Sequence, residues 1–406
     1  MLGIYTGLPK QAKYLIYQSI LPAVAYGMFF TDISYFLTSV QGLSYEFMGI
    51  VVTVMGISTF AASVPLGMVA DKYGRKKMLI VGNVLASIMM AVFGLTTNPA
   101  ILLSAAIFEG ISEAALSVSS GALLAEKAEA SQRTSVFSLY GFAQSIAFGV
   151  GGLAIPGVVI FEMLGFTNKT SHALLFATFA SFSLVSTLIL LKVNESERPK
   201  KTKKEKSGAG KHVHKESRGI LAKYVFTGAI IAFGAGMVVP LMTAWLKLQY
   251  GLSDSISGII LGIASLVIGV ATLASPLIAK KIGLVKAIVV TQAASTLFMF
   301  ATPLFSSYLI ASSIYTVRAF LMNMASPLSQ SMIMGLVEED ERGAASGINA
   351  ALWRLPNAMS TFVGAYLMGI GQLAAPFFIA SILYAVSILL FWRFFRKIKM
   401  PEEKPN

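Results

Sequence analysis

Apolar residues in this chain come in long unbroken runs, not in strand-like alternation or narrow helical stripes. A hydrocarbon layer of ~30 Å takes about 20 residues of helix. Runs of that length fall at 14–40, 48–70, 78–97, 100–125, 134–160 and 172–193, then at 220–246, 256–279, 286–306, 308–334, 344–370 and 373–395. Several exceed what a perpendicular crossing needs, which allows tilt without fixing an angle. Between the two sets, residues 194–218 read NESERPKKTKKEKSGAGKHVHKESR, a polar, basic stretch rich in Gly and Ser that has no apolar face to bury. The pattern predicts an all-α membrane protein with 12 transmembrane helices. It divides into a six-helix bundle at 1–193, a cytoplasmic basic linker at 194–218, and a second bundle at 219–406 ending in a short basic tail.

The halves repeat each other at one constant offset of 209 positions. Gly27-Met28 matches Gly236-Met237, Gly42-Leu43-Ser44 matches Gly251-Leu252-Ser253, and Gly49 matches Gly258. Ala70, Lys72 and Gly74 match Ala279, Lys281 and Gly283, and Arg133 still matches Arg342. Six spans per copy start both copies on the same side. The repeat is therefore parallel, its axis along the membrane normal.

Composition agrees and narrows the class. Of 406 residues, 55% are hydrophobic and 13% charged, against roughly 25% charged in soluble chains. That excludes an ordinary soluble enzyme, a disordered chain and a coiled coil. The net charge of +13 would suit nucleic acid, but 28 of the 32 Lys and Arg lie at the termini or in alternate loops. This is the positive-inside pattern. It puts both termini in the cytoplasm and the chain in the cell membrane, with the lipid bilayer and not nucleic acid as its surroundings. Lys169 and Lys247 fall in opposite loops, and Arg318 and Arg354 inside apolar runs. There is no cysteine, so no disulfide forms. The N-terminus lacks a small-residue cleavage site and runs into a span too long for a signal peptide. Asn168-Lys169-Thr170 is read as a chance sequon. His212 and His214 read as part of a solvated charge run, and His172 as a span edge.

Between the second and third spans stands Gly67-Met-Val-Ala-Asp71-Lys-Tyr-Gly74-Arg75-Lys76-Lys77. Gly67 allows close helix approach, Gly74 a tight turn, and Arg75 reaches a carboxylate bidentately. In this motif, and in its six-plus-six plan, the chain resembles the major facilitator superfamily, whose signature is G-x-x-x-D-x-x-G-R-[RK]. The resemblance implies that Gly67, Asp71, Gly74, Arg75 and Lys76 form a gate holding the cytoplasmic ends of the halves together, with Glu126 or Glu129 as partner of Arg75. The alternative is that Arg75, Lys76 and Lys77 serve only as topology anchors. The second copy carries Lys280 and Leu284 where Asp71 and Arg75 would stand, so it keeps the turn and loses the latch.

Five ionisable residues fall inside the spans: Asp32, Glu109, Glu113, Arg318 and Arg354. Facing lipid, each would cost several kcal/mol, so each is expected to line a cavity or hold a partner. At ~1.5 Å rise per residue, Asp32, Glu109 and Arg318 lie roughly 12–14 Å from the outer end and Arg354 about 15 Å from the inner end. Glu113 follows Glu109 by one turn on the same stripe. Glu109 and Arg318 occupy equivalent repeat positions. The resemblance implies that the first, fourth, seventh and tenth spans line a central cavity, which includes all of these but Arg354. The carboxylates are candidates for carrying a proton; an arginine cannot release one and is an anion anchor or counter-ion. An ion-pair network that merely holds one closed state is the competing role. Tyr26, Tyr35, Ser112, Ser117, Trp245, Asn323 and Gln330 are polar or aromatic neighbours, and Pro22, Pro65, Pro240, Pro327 and Pro356 are expected to mark bends.

Drug–proton antiporters of that family carry R-x-x-[QN]-G-x-G-x-A in the fourth span and G-P-x-x-G-G in the fifth. Here Ala106 and Glu109 replace the arginine and the amide, and the Gly-Pro is missing although Gly151-Gly152 remains. There is no G-x-x-x-x-G-K-[ST] loop, so energy is expected from a gradient. No catalytic constellation is present, no cofactor or metal is expected, and the chain is read as a carrier and not an enzyme. The leading expectation is alternating-access, proton-coupled export of small organic molecules by a monomer, Na⁺ remaining an option for the coupling ion. The alternatives are a proton-coupled organic-anion symporter or exchanger anchored by Arg318, and a transporter-like sensor that moves nothing.

Overall fold

The computed structural model describes residues 8–128, 133–194, 215–336 and 342–397. The described residues are almost wholly helical. Ten segments are long and apolar enough to cross a membrane, among them Lys10–Val40, Tyr45–Tyr73, Arg75–Leu95, Pro99–Lys127, Asn168–Lys192, Leu284–Leu304 and Ala375–Phe395. The tenth and eleventh helices, Tyr308–Leu336 and Arg342–Gly369, are 29 and 28 residues long and carry Arg318 and Arg354. Together they make the twelve spans of a two-repeat carrier fold. Lys10, Arg75, Lys192 and Arg393 share one end of the bundle, the basic end; the far end is its opposite.

The repeated residues are those that start and stop helices. Gly42 and Gly251 turn with φ of 71° and 70°, a conformation that costs glycine nothing. Two residues later, Ser44 and Ser253 cap the next helix by accepting from Phe47 N and Ile256 N. Gly74 and Gly283 repeat the device at the basic end, with φ of 113° and 84°. The second copy has kept the turn, as its sequence suggests.

Two spans depart from the expected runs. The fifth is Arg133–Leu153 followed by a separate helix Gly157–Met163, with Pro156 at the junction. The seventh is Lys215–Gly236, a short 3₁₀ turn Val239–Leu241 containing Pro240, then Met242–Tyr250. Proline lacks the N–H that would continue the ladder. Pro22, Pro65, Pro327 and Pro356, by contrast, lie inside uninterrupted helices.

Within each half, glycine brings the lining helices into backbone contact. A Cβ on Gly27 would strike the Phe148 backbone, and one on Gly236 the Asn357 backbone; both members of the two pairs are repeat mates. Between halves, the second helix packs on the eleventh (Gly49 and Gly56 against Ala365 and Ala358), and the fifth on the eighth (Gly149 and Gly152 against Gly262 and Gly258). Thr53 donates to the Ala358 carbonyl at 2.9 Å. Ser34 and Thr243, themselves 209 positions apart, share a hydrogen bond of 2.6 Å. A pair of equivalents can touch only on the axis that relates them, so the pseudo-twofold passes between these hydroxyls.

The packing is not uniform along that axis. Toward the far end one core runs through both halves, from Phe29, Phe36 and Met48 to Leu241, Trp245 and Phe377. Toward the basic end it separates. Leu15, Leu79 and Leu123 form a core in the first half, and Leu284, Ile288 and Phe395 another in the second.

Candidate functional site: a two-chambered cavity between the halves

Below the joined core lie two adjacent chambers that share Gln144 and Phe148 of the fifth helix. The larger, about 460 Å³, is bounded by both halves and includes Phe30, Met242, Tyr315, Arg318, Trp353 and Tyr384. The smaller, about 300 Å³, belongs to the first half, with Gln18, Tyr26, Asn83, Glu109, Glu113 and Tyr140. Their walls are mainly apolar and aromatic with a few fixed polar groups, as small-molecule sites usually are.

Arg318 is 4% exposed. Its Nη2 donates to the Tyr384 hydroxyl at 2.6 Å, and its guanidinium lies 5.7 and 5.6 Å from the Tyr315 and Tyr384 ring centres. Two aromatic faces and one hydroxyl hold it, and among the described residues its Nε has no hydrogen-bond partner. Among the described residues no carboxylate pairs with it.

The carboxylates of the smaller chamber differ in their company. Glu113 is doubly held: Thr59 donates to Oε2 at 3.1 Å, and Arg354 Nη1 from the other half donates to Oε1 at 3.0 Å. Among the described residues Glu109, 2% exposed, takes only a long 3.3 Å contact from the Ser112 hydroxyl, which donates at 2.7 Å to the Glu109 backbone carbonyl. Asp32 lines neither chamber; it lies fully buried toward the far end. Of the polar neighbours, Tyr26, Ser117 and Asn323 line the chambers, while Trp245 is buried with its Nε1 donating to the Leu373 carbonyl at 3.0 Å.

At the basic end Asp71 accepts from Arg75 at 2.8 Å across the Gly74 turn. Arg75 also donates to the Ala122 carbonyl at 3.0 Å and approaches Glu126 at 3.6 Å. Lys76 donates to the Val193 carbonyl at 2.8 Å, closing the end of the sixth helix. These contacts tie the second, third, fourth and sixth helices of one half. Glu129, the other expected partner of Arg75, lies outside the described residues, as do His212 and His214.

Sequence reading missed two residues. His172 is wholly buried, not a span edge, and its Nε2 stands 3.1 Å from Asp254 and 3.6 Å from Asp32. Asp254 opens the eighth helix. The available signal was a histidine at the first residue of an apolar run and an acid just past a serine ahead of the next run. Neither says that the two meet across the halves.

Among the described residues, twelve helical spans in two like halves, joined at one end over a cavity that both halves line, define a multi-pass membrane carrier. The model of the Major Facilitator Superfamily matches residues 19–322 and 224–406, and the chain belongs to that family. It is 24% identical over 362 residues to multidrug resistance protein 1 of Bacillus subtilis (strain 168), covering 86% of this chain and 87% of that one. It is 22% identical over 355 residues to multidrug resistance protein 2 of the same organism, covering 86% of each. The fold also matches the solved D-xylose-proton symporter, with TM-score 0.75 at 17% identity over 94% of this chain and 97% of that one. A bacterial homologue of the human lysosomal transporter Spinster matches with TM-score 0.74 at 14% identity, over 96% and 98%.

Proposed function

We propose that this transporter exports small, largely apolar organic compounds in exchange for protons, rocking its halves about the central cavity. The reading rests on one observation above all: a mainly apolar chamber built by both halves adjoins a buried carboxylate, Glu109, that has no cation paired with it among the described residues and stands one turn from a second carboxylate, Glu113. Such a carboxylate can exchange a proton when substrate enters or leaves. Glu113, held by Thr59 and Arg354, instead ties the halves together at mid-depth. The multidrug names of the two Bacillus relatives favour export. With the termini in the cytoplasm, as the basic loops suggest, the split core leaves the cavity open inward and the joined core closes it outward.

A second reading has its own observation. Arg318, buried and without a carboxylate partner among the described residues, suits a substrate carboxylate or phosphate, which would make this an organic-anion symporter or exchanger.

Purified protein in liposomes with an imposed pH gradient decides between them. For export, flux of lipophilic compounds runs against the proton gradient and Glu109→Gln abolishes the dependence on that gradient. Flux of organic anions along with protons, lost in Arg318→Gln, replaces the first reading by the second. Substrate flux indifferent to the pH gradient in the unaltered protein removes both.

A further inference from the structure

The buried cluster at the far end has a chemistry the cavity does not use. His172 Nδ1 lies 2.8 Å from the Asn168 carbonyl oxygen. A carbonyl only accepts, so Nδ1 carries a hydrogen and donates it. The other nitrogen, Nε2, then meets Asp254 Oδ2 at 3.1 Å and Asp32 Oδ2 at 3.6 Å. If the ring were neutral and both acids ionised, three electron-rich atoms within 4.8 Å of one another would face inward with nothing between them. Among the described residues neither oxygen of the fully buried Asp32 has a hydrogen-bond partner. One further proton resolves the geometry: on Nε2, or shared with Asp254, it makes the 3.1 Å contact a hydrogen bond and offsets the charge of Asp32.

We propose that Asp32, His172 and Asp254 form a proton-binding site within the far-end seal, separate from the cavity carboxylates, whose occupancy holds the two halves together there. Asp32 and His172 belong to the first half and Asp254 to the second. The site lies where the halves must part, near the Ser34–Thr243 contact on the axis. The surroundings fit a dry latch. Phe36 stacks on the imidazole with ring centres 5.3 Å apart. From the first helix Tyr35 reaches the Asp254 backbone, and Tyr45 of the second helix neighbours Tyr35. From the seventh span Lys247 lies 5.8 Å from the Tyr35 ring centre. With the proton gone, repulsion in a low-dielectric seal separates Asp254 from the other two. Acid therefore closes the far end and alkali opens it, with a slope of at most about tenfold in the closed-to-open ratio per pH unit, the limit for one linked proton.

The proposal rests on the alternating-access reading, and its test needs no substrate. The chain has no cysteine, so Thr97→Cys and Ser306→Cys, exposed in far-end loops of opposite halves, take spin labels directly. Distances between the labels are measured in lipid nanodiscs at about pH 5.5 and about pH 8.5, either side of the ordinary histidine range. A short distance at the acid value giving way to a longer one at the alkaline value is expected. His172→Gln and, as a second variant against misfolding, Asp254→Asn give the same distribution at both. An unaltered protein that ignores pH overturns the proposal. So does loss of the response in Glu109→Gln with its survival in His172→Gln, which would put the proton in the cavity. Opening by a chelator at the acid pH, reversed by Zn²⁺, would show that a metal ion and not a proton bridges the halves, and also overturns it. If the far end responds as expected while vesicle flux ignores the pH gradient, proton-coupled export fails and the latch stands.

Discussion

Glu109 and Glu113 stand one helical turn apart in the same wall, and their neighbours assign them different work. The Arg354–Glu113 pair joins the halves at 3.0 Å with both side chains 32% exposed. At that exposure its contribution is about 1 kcal/mol or less. Arg354→Gln and Glu113→Gln should each lower thermal stability slightly, and the double variant should cost no more than either single one, because only one interaction is lost. Full additivity in a double-mutant cycle would show that the pair carries nothing. Glu109→Gln removes no ion pair, so its effect should fall on the pH-gradient dependence of flux and leave the melting temperature nearly unchanged. At this scale the sequence is a partial guide. Helical depth places Asp32 and Glu109 alike. What separates them is which partner waits across the interface, and for Asp32 that partner is a histidine on the sixth helix and an aspartate in the other half. The same reason hid His172. Position along the chain gives distance from a helix end, not the identity of the facing residue.

At the scale of helices, small residues set how closely the walls approach. Gly27 meets the Phe148 backbone, whereas nothing lies within 4 Å of a Cβ placed on Gly121. Gly121→Ala should therefore stabilise its helix by about 0.5–1 kcal/mol. Gly27→Ala should destabilise by about 1–3 kcal/mol through forced separation of the first and fifth helices. Melting temperatures of the two variants in detergent check both signs. The twelve spans, the repeat and the turn glycines are legible in sequence because hydropathy and left-handed turns are local properties. Of the breaks, the one at Pro240 is among the expected bends and the one at Pro156 is not; the other four prolines expected to mark bends lie inside uninterrupted helices, since a proline inside an apolar run leaves the run apolar and does not say which helix will break. The basic-end motif is legible as chemistry, and Arg75 approaches Glu126 at 3.6 Å. Asp71→Asn removes the 2.8 Å contact to Arg75 without opening a cavity in a core. Transport should fall several-fold while membrane insertion and stability persist; unchanged transport would leave the motif as a topology anchor alone.

The pseudo-twofold of the whole molecule is kept in the helix seams between the halves, while the packing changes along the axis. Around the axis, the second helix on the eleventh and the eighth on the fifth use equivalent positions: Thr53 and Ala358 in one interface stand where Gly262 and Gly149 stand in the other. Two like seams are what the proposed rocking of the halves needs. Along the axis, the core is shared at the far end and split at the basic end, so only one side of the cavity is sealed. Accessibility follows directly. A lone cysteine at Ser120, which lines the smaller chamber toward the basic end, should react with a membrane-impermeant maleimide applied to that side. One at the fully buried Ser257, a turn past Asp254, should stay protected from both sides. Bulk at the fifth–eighth contact reverses this. A Cβ at Gly149 already lies 2.9 Å from the Gly262 carbonyl oxygen, so Gly149→Leu should wedge the far ends apart, expose Ser257→Cys to reagent from the far side and shield Ser120→Cys. Reciprocal change at the two positions is what a rocking carrier requires, since one seal forms as the other breaks. If Gly149→Leu exposes Ser257→Cys and Ser120→Cys keeps its reactivity, the halves have loosened without rocking, and alternating access about this axis is wrong. Labelling vesicles of known orientation from each side in turn also shows which compartment the basic end faces, because Ser120→Cys reacts from that side alone.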